Sequence, residues 1–531
     1  MKKFFFSILF GCILFFSDFL YIKFFFNEQF PRNFSNLIEA IGLIYLFTLA
    51  FHRKTTLLLM SLLLIISFVQ MCHLAWFGNF IHPTRIYLFF REYAETFQTL
   101  MSIGRLLIAP IVILICSSIL LYFISTILPD QKPFLFWKVL VLLSLIYAPI
   151  RTLVNGNEYG KQPDINNLGY SNLYASFSYF LGKTLPFKLS ERPYEADTFK
   201  FQKIKKNPQV NIVLVVGESL RYQNMSLFGY DRETTPLLKA ISKERPFIYR
   251  KAVAAGVQTD VALPLFFNNY MKKNPMPVIL SQNRCLFKAA KENGFETSFL
   301  SAQSRPGMKH IINYLCPKFI DHLNFGTDEK KESEPGQVRQ DDLLVERIKA
   351  QNFDKPQFYV LHQRGSHTPF ESRYPKAFNN FPVVSSDNTK DSIIKHYDNS
   401  VYFTDFVLSE IIKELYSKSK LPTYFVFVSD HGQTLGEDGA WGHINLNTQV
   451  FKIPFIFISD KKDEVYNQVE KFPDFISHKT ASNLIVSLLG YKAEETSDEN
   501  QYITGADLDG LEGGMRIKIT NSEIVEFERV D

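Results

Sequence analysis

The sequence predicts an N-terminal α-helical membrane domain of five transmembrane helices, followed by an α/β domain with a doubly wound parallel sheet. Long uncharged apolar runs fall mostly before residue 155, and most acidic and basic residues follow it. Beyond about residue 195, short apolar runs alternate with helical patterns. We therefore expect a membrane domain over 1–154, a linker with an interfacial helix over 155–205, and a globular domain over 206–531.

Composition excludes several classes of protein. With 25 Gly, 25 Pro and 5 Cys in 531 residues, the chain is not collagen-like, disordered or a disulfide scaffold. A net charge of +5 gives no indication of nucleic-acid binding. The 52 Phe residues are typical of a membrane protein.

The predicted spans are 4–26, 35–51, 55–77, 106–128 and 134–153. Spans 55–77 and 106–128 contain no Asp, Glu, Lys or Arg, and at ~1.5 Å per residue each would cross a ~30 Å hydrocarbon layer. A cleaved signal peptide is the alternative for 4–26, but no small-residue cleavage site follows it and further spans do. Asp18 and Glu39 lie within spans, where the alternatives are a functional role or, near helix ends, a solvated or paired one.

Basic residues orient the spans. Five spans would place three basic clusters on one side, which the positive-inside rule makes the cytoplasm; these are Lys2 with Lys3, His52 to Lys54, and Lys132 with Lys138. Everything after residue 155 would then lie outside. The mixture of aromatic and charged residues in 78–105, and similarly in 171–188, indicates interfacial helices.

Four continuous apolar runs predict strands buried on both faces: NIVLVVG (211–217), FYVLH (358–362), TYFVFVS (423–429) and IPFIFIS (453–459). An amphipathic helix is predicted at 400–418, because apolar residues recur there at helical spacing: Val401, Phe403, Phe406, Val407, Ile411 and Leu415. Ligands of doubly wound sheets gather beyond the carboxyl ends of the strands.

Metal-ligand residue types stand at three of those strand ends. Glu218 follows the first strand, His367 follows the second, and Asp430 and His431 follow the third, with His443 further along. Singly, each is more often a helix cap or a hydrogen-bonded core residue, but together they favour a divalent cation site.

A nucleophile is predicted in KAVAAGVQTDVALPLFF (251–267), where a Gly-containing stretch of small residues leads to Thr259. Coordination of a metal would lower the pKa of this hydroxyl and make it reactive. The alternative is that Thr259 or Asp260 only caps the helix that starts there.

These motifs resemble the phosphoethanolamine transferases of the alkaline-phosphatase/sulfatase superfamily, a group that includes the transferases conferring colistin (polymyxin) resistance. The resemblance rests on GESLRYQNMSLFGYDRETTP (217–236), the Thr259 segment, HQRGSHTPF (362–370), HYDNSVYFTDFVL (396–408) and SDHGQTLGEDG (429–439). It implies a zinc enzyme of the inner membrane with a periplasmic sulfatase-like domain.

Residue by residue, the resemblance makes Glu218, Asp430 and His431 zinc ligands, together with Thr259 as the threonine that becomes phosphorylated. His367 and His443 would assist a second, transient divalent ion or the phosphoryl and leaving groups. Lipid A-directed members have Ser-Val-Pro-Cys soon after the nucleophile and several disulfides. This chain has Asp260-Val261-Ala262-Leu263-Pro264 and only Cys285 and Cys316 outside the spans, so a single bridge and the identity of the acceptor stay open.

The resemblance further implies transfer of phosphoethanolamine from phosphatidylethanolamine, through a phospho-threonine intermediate, to lipopolysaccharide (lipid A or core). The expected partners are this donor, this acceptor and membrane lipids, with no nucleic acid. The alternatives are a glycerophosphate transferase of the lipoteichoic acid synthase type and a sulfatase-like phosphodiesterase.

Overall fold

The computed structural model describes residues 1–25, 34–91, 100, 104–130, 132–155, 167–189, 197–326, 340–495, 497–509, 513–520 and 524–530. The chain divides into two compact units. The first comprises Met1–Arg192 and Gly436–Trp441, and the second comprises Pro193–Leu435 and Gly442–Asp531.

The first unit is helical, as the sequence predicts. Its α-helices are Lys2–Phe25, Phe34–Ala50, Arg53–Phe77, Pro83–Arg91, Ile108–Ser125, Leu135–Asn155, Gly169–Tyr179 and Leu185–Leu189, with a 3-10 turn at Gly104–Leu107 and a π turn at Phe180–Thr184. Among the residues that the structure describes, four segments are long and apolar enough to cross a membrane, namely Lys2–Lys23, Arg53–Phe77, Gly104–Ser125 and Leu135–Val154. The remaining predicted span is a shorter apolar helix of 17 residues.

The two acidic residues of the predicted spans differ in environment. Asp18 is buried, and its Oδ2 accepts a hydrogen bond of 2.7 Å from the backbone N–H of Gly169. Asp18 therefore has a structural partner within the first unit, whereas Glu39 is exposed.

Helices also occupy the described parts of both regions that were predicted to be interfacial. Pro83–Arg91 lies in the first, where residues 92–99 and 101–103 fall outside the described residues. Gly169–Tyr179, Phe180–Thr184 and Leu185–Leu189 follow one another in the second. Their placement at a membrane surface stays a prediction.

The second unit is built on an eight-stranded sheet with the order β10-β2-β9-β6-β1-β5-β3-β4. The strands are β1 Asn211–Gly217, β2 Phe247–Val253, β3 Glu296–Ser301, β4 His322–Phe325, β5 Gln357–His362, β6 Thr423–Ser429, β9 Lys452–Ser459 and β10 Phe475–Ser477. Two short strands, β7 Thr434–Leu435 and β8 Trp441–Gly442, follow β6, and a three-stranded antiparallel sheet is formed by β11 Asn500–Thr504, β12 Gly514–Ile519 and β13 Ile524–Val530. The α/β fold class is thus confirmed.

The sheet is mixed rather than wholly parallel, which corrects the prediction. β9 runs antiparallel to both of its neighbours, β6 and β2, while the other strand pairs of the sheet are parallel. The run IPFIFIS has the composition of a strand buried on both faces, but such a run says nothing about strand direction.

Helices cover the sheet. They are Pro236–Glu244, Thr259–Phe267, Met276–Ser281, Leu286–Glu292, Arg305–Ile312, Asp342–Ala350, Thr389–Lys418, Glu464–Glu470 and His478–Leu488. The predicted helix at 400–418 forms the C-terminal 19 residues of the 30-residue helix Thr389–Lys418, and five of its six predicted apolar residues are buried, with Phe406 half-buried.

The register of the central strands brings the predicted site residues to one edge. β1 pairs in parallel with β5 (Val216 opposite His362) and with β6 (Gly217 opposite Ser429). The residues that follow these three strands therefore leave the sheet side by side, because carboxyl ends of parallel strands share an edge.

A disulfide joins Cys285 and Cys316, the pair that the sequence left open. The three cysteines of the helical region, Cys12, Cys72 and Cys116, are free.

Candidate active site

Three predicted metal ligands meet at the carboxyl edge of the sheet. Glu218, Asp430 and His431 each present a ligand atom within 4.8 Å of the other two. All three side chains are buried, with at most 2% of each residue exposed. Two carboxylates and an imidazole form a donor set that suits zinc.

The hydroxyl of Thr259 points into this cluster. It donates a hydrogen bond of 2.9 Å to Oε2 of Glu218 and lies 3.3 Å from Nε2 of His431. Thr259 is the first residue of its helix, and the N-cap residue is Gln258, whose side chain makes no capping bond. Thr259 therefore does not serve as the helix cap that the sequence left as an alternative.

The segment before Thr259 is fastened to its surroundings mainly through its backbone. Ala254 N–H donates to Phe451 O, Thr504 N–H donates to Ala255 O, and Ile444 N–H donates to Val257 O, at 2.8–3.0 Å. Gln258 Nε2 donates to Ala506 O. Because bonds fix both faces of this loop, the threonine is presented at a defined position relative to the strand ends.

The turn after Glu218 is strained and well supported. Ser219 has a φ of +57°, which is costly for a residue other than glycine. Its N–H donates to Oδ1 of Asp430, and its hydroxyl donates to Oε1 of Glu218. Tyr397, which is fully buried, donates its hydroxyl hydrogen to Ser219 O and accepts from the N–H of Arg221, each at 3.0 Å. These bonds hold Glu218, the first of the predicted ligands, in place.

The motif that continues from this turn closes onto the long helix Thr389–Lys418. Asn224, Tyr230 and Arg232 all donate to the buried carboxylate of Asp398. Asp405, two turns further along the helix, accepts from the N–H groups of Leu237 and Leu238 at the start of Pro236–Glu244. The motif at 217–236 and the start of the helix Pro236–Glu244 are thereby fixed to one and the same helix.

A tight turn after β5 packs against Glu218. Gly365 has a φ of +52°, and a Cβ there would overlap the carbonyl oxygen of Glu218. Ser366 N–H donates to that same oxygen at 2.9 Å. The buried Asp341 accepts from Arg364 N–H and Gly365 N–H, which fixes the turn from its other side.

The two predicted assisting histidines lie beside the cluster. The ring of His443 is 4.5 Å from the ring of His431 and 5.0 Å from that of His367, between centroids. Nδ1 of His367 lies 2.6 Å from Thr368 O. Both residues are half-buried, as is Thr259, so a ligand can reach this side of the site.

Burial is the largest cause of the pKa shifts of the three predicted ligands. It raises the pKa of Glu218 to about 7, with the neighbouring Asp430 carboxylate as the second cause. Burial also raises the pKa of Asp430 to about 7 and lowers the pKa of His431. Oδ2 of Asp430 has no hydrogen-bond partner among the residues that the structure describes. Two buried, adjacent carboxyl groups with an unsatisfied oxygen are what a cation would stabilise.

Several residues of the site were missed from the sequence. Ser219 and Tyr397 lie within the motifs 217–236 and 396–408, but their spacing does not indicate that they hold the turn after Glu218 in place. His362 is the last residue of β5; its Nδ1 lies 3.0 Å from Ser301 Oγ and its Nε2 lies 3.9 Å from Oε2 of Glu218. Because its neighbours in the strand are apolar, the sequence predicts this histidine only as the end of a buried strand.

A family model described as Sulfatase matches residues 210–491, which is more than half of the 531-residue chain. The chain belongs to the sulfatase family. All six predicted site residues lie within this sulfatase segment.

Two curated relatives carry the comparison further. The chain is 26% identical over 323 residues to the Kdo(2)-lipid A phosphoethanolamine 7''-transferase of Escherichia coli strain K12, which covers 56% of this chain and 55% of that protein. It is 25% identical over 389 residues to phosphoethanolamine transferase EptA of Escherichia coli O157:H7, which covers 70% of this chain and 68% of that protein. The chain thus spans about half the length of the first relative and about two thirds of the second.

Most of the chain is similar in fold to one solved structure. The integral membrane protein lipooligosaccharide phosphoethanolamine transferase A from Neisseria meningitidis superposes with a TM-score of 0.62 at 18% identity, over 92% of this chain and 95% of that one. The resemblance to phosphoethanolamine transferases predicted from the motifs is confirmed.

Proposed function

We propose that this protein is a membrane-bound, metal-dependent transferase that moves phosphoethanolamine from phosphatidylethanolamine to lipopolysaccharide through a phosphorylated Thr259. The observation that carries the proposal is the Thr259 hydroxyl, 2.9 Å from Oε2 of Glu218 and 3.3 Å from Nε2 of His431. The names of the two Escherichia coli relatives support the transferred group.

Glu218, Asp430 and His431, together with the hydroxyl oxygen of Thr259, would hold a zinc ion. When bound, such an ion polarises a phosphate oxygen and lowers the pKa of the threonine hydroxyl. The orphaned Oδ2 of Asp430 fits this assignment. The number of ions is left open, since His367 and His443 are also close enough to one another to serve a second cation.

In the first step, the Thr259 oxygen attacks the phosphorus of the donor lipid. Oε2 of Glu218, which accepts the hydrogen bond of this hydroxyl, is the proposed acceptor of its proton. The new bond joins Thr259 Oγ1 to phosphorus, and the bond from phosphorus to the diacylglycerol oxygen breaks. Diacylglycerol leaves after taking up a proton, for which His367 or His443 is the proposed donor.

In the second step, an oxygen of the acceptor attacks the phosphorus of phosphoethanolamine-threonine. The new bond joins the acceptor oxygen to phosphorus, and the Thr259 Oγ1–phosphorus bond breaks. A proton on the attacking oxygen passes to the histidine that protonated diacylglycerol, and Glu218 returns its proton to Thr259. Both steps depend on position and on cationic stabilisation of the charge on the phosphoryl oxygens. The backbone bonds on both faces of residues 254–258 provide the required position.

We further propose that the sulfatase segment faces the periplasm from the inner membrane, where donor and acceptor lipids share a leaflet. The basic clusters between the predicted spans support this orientation. The Cys285–Cys316 disulfide supports an oxidising compartment, because such bonds are rare in the cytoplasm.

The proposal is tested by mass spectrometry of lipid A and of core oligosaccharide from cells with the wild-type chain, with Thr259→Ala and without the gene. We expect added phosphoethanolamine in one fraction, only with the wild-type chain. That fraction names the acceptor. Added glycerophosphate, or released phosphate ester with no modified acceptor, would contradict the proposal and favour a glycerophosphate transferase or a phosphodiesterase.

A further inference from the structure

His478 is buried between the loop that leads to Thr259 and the end of β6 that precedes Asp430 and His431. It begins the helix His478–Leu488, and only 1% of the residue is exposed. Its Nδ1 receives a hydrogen bond of 3.1 Å from the N–H of Ala255, in the loop that leads to Thr259. Its Nε2 lies 2.8 Å from the carbonyl oxygen of Ser429, directly before Asp430 and His431.

The two partners fix the state of this ring. Ala255 N–H can only donate, so Nδ1 must be unprotonated, and Ser429 O can only accept, so Nε2 must carry the hydrogen. Only one neutral tautomer satisfies both bonds. Burial lowers the pKa of His478 to about 4, so the ring stays neutral under ordinary conditions.

Ser429 passes this support on to the metal ligands. Its hydroxyl donates to His431 O at 2.9 Å and accepts from the N–H of Leu220 at 3.0 Å. Ser429 is thus bonded to the loops that carry all three proposed ligands. On the other side, Phe266, in the helix that Thr259 begins, packs edge-on against the His478 ring at 5.3 Å between centroids.

We propose that His478 is a positioning residue that couples the nucleophile loop to the ligand-bearing end of β6 and so sets the distance from Thr259 to the proposed metal. This inference rests on the proposed function of Thr259 and the metal ligands. The metal ligands keep their own bonds without His478, notably Ser219 N–H and His431 N–H to Oδ1 of Asp430. Loss of the bridge should therefore affect the reaction of Thr259 more than binding of the metal.

Three substitutions separate the two bonds. His478→Asn keeps an acceptor near Ala255 but is too short for Ser429 O. His478→Gln places a donor near Ser429 O but loses the acceptor for Ala255. His478→Phe loses both bonds while retaining a ring. The control is Ser482→Ala on the same helix, which removes a bond of 2.9 Å to Phe266 O and one of 2.8 Å from Asn269 Nδ2, and touches neither end of the bridge.

In the full-length, zinc-loaded protein, we expect all three His478 variants to form phosphoethanolamine-threonine about 10–100 times more slowly than wild type. The KM for phosphatidylethanolamine and the bound zinc per chain should be unchanged, and Ser482→Ala should react at the wild-type rate per folded molecule. A wild-type rate in the Asn or Gln variant, or a loss of rate matched by loss of zinc, would overturn the coupling role.

A second measurement needs no reaction. Hydrogen exchange of the Ala255 amide should accelerate in His478→Phe while the amides of β1 stay protected. Unchanged exchange at Ala255 would refute the bridge whatever the enzyme does. If wild type forms no adduct at all, the proposed function fails, and the exchange result still decides whether the bridge exists.

Discussion

Thr259 donates a hydrogen bond of 2.9 Å to Glu218, and the two residues come from strand–loop connections 41 positions apart in the chain. The half-buried hydroxyl faces a ligand cluster that is almost fully buried. The Thr259 hydroxyl, the proposed nucleophile, is thereby accessible to a substrate, whereas the proposed metal ligands beside it are almost fully buried.

Replacement of Thr259 tests this arrangement. Thr259→Ala should form no phosphoethanolamine adduct, because the attacking oxygen is gone. Thr259→Ser keeps the oxygen but loses the methyl group that restricts χ1, so we expect a slower reaction, by about tenfold. Intact-protein mass spectrometry after incubation with donor lipid measures both; an adduct on the Ala variant would identify a different nucleophile.

Removal of the metal should destabilise the protein more at high pH. The carboxyl groups of Glu218 and Asp430 have pKa values raised to about 7 in the folded protein and of about 4 in an unfolded chain. Between these values the folded state binds more protons, so the free energy of unfolding of the metal-free protein falls as pH rises. Bound zinc would take the place of the protons on the two carboxyl groups, so the free energy of unfolding of the zinc-loaded protein should not fall in this way as pH rises.

The difference in Tm between zinc-loaded and chelator-treated protein should therefore be larger at about pH 8 than at about pH 5.5. Glu218→Gln should flatten this dependence, since it removes one of the two titrating groups. An equal difference at both pH values would argue against a metal on these carboxylates.

Gly365 should tolerate no side chain. Gly365→Ala forces a Cβ into the carbonyl oxygen of Glu218 in addition to the cost of a φ of +52°, which is about 1–2 kcal/mol by itself. Gly229 is the matched control, because its φ is +96° and nothing lies within 4 Å of a Cβ there. We expect both variants to have a lower Tm, but only Gly365→Ala to lose zinc affinity; equal zinc binding in the two would contradict the close packing against Glu218.

The disulfide should contribute measurably to stability. Cys285 and Cys316 are 31 positions apart, and closing a loop of this size stabilises a protein by about 3–4 kcal/mol in the chain-entropy treatment. Cys285→Ser/Cys316→Ser should lower the Tm, and a reductant should lower the wild-type Tm similarly. Cys12→Ser, at a free cysteine, serves as the control and should change nothing.

The sequence predicts much of the architecture because burial leaves a clear pattern. Strands 211–217 and 423–429 are predicted with their observed bounds, since each is a continuous apolar run. β2, β3, β4 and β10 were not predicted; β2, for example, contains Arg250 and Lys251 and exposes Tyr249, so its apolar pattern is interrupted. The direction of β9 is set by its neighbours, which a single run cannot reveal.

The residues of the candidate site likewise fall into those that the sequence predicts and those that it does not. Glu218, Asp430 and His431 are predicted from their positions at strand ends and Thr259 from the Gly-containing stretch of small residues before it, and the structure brings the four together. Ser219 bonds the side chains of Glu218 and Asp430 from a turn distant in sequence from Asp430, and Tyr397 and His478 bond backbone atoms of other residues. Such contacts leave no periodicity or motif, so the supporting shell could be found only in three dimensions.

The reversed direction of β9 determines where the chain travels between β6 and β9. A parallel β9 would require the connection to cross to the opposite edge of the sheet before the strand could begin. Because β9 is antiparallel to β6, residues 430–451 leave and re-enter the sheet on the same side as Thr259. This return path contains the short strands β7 and β8 as well as His443, and a change in its length would leave the partners of β6 and β9 in the eight-stranded sheet unaltered.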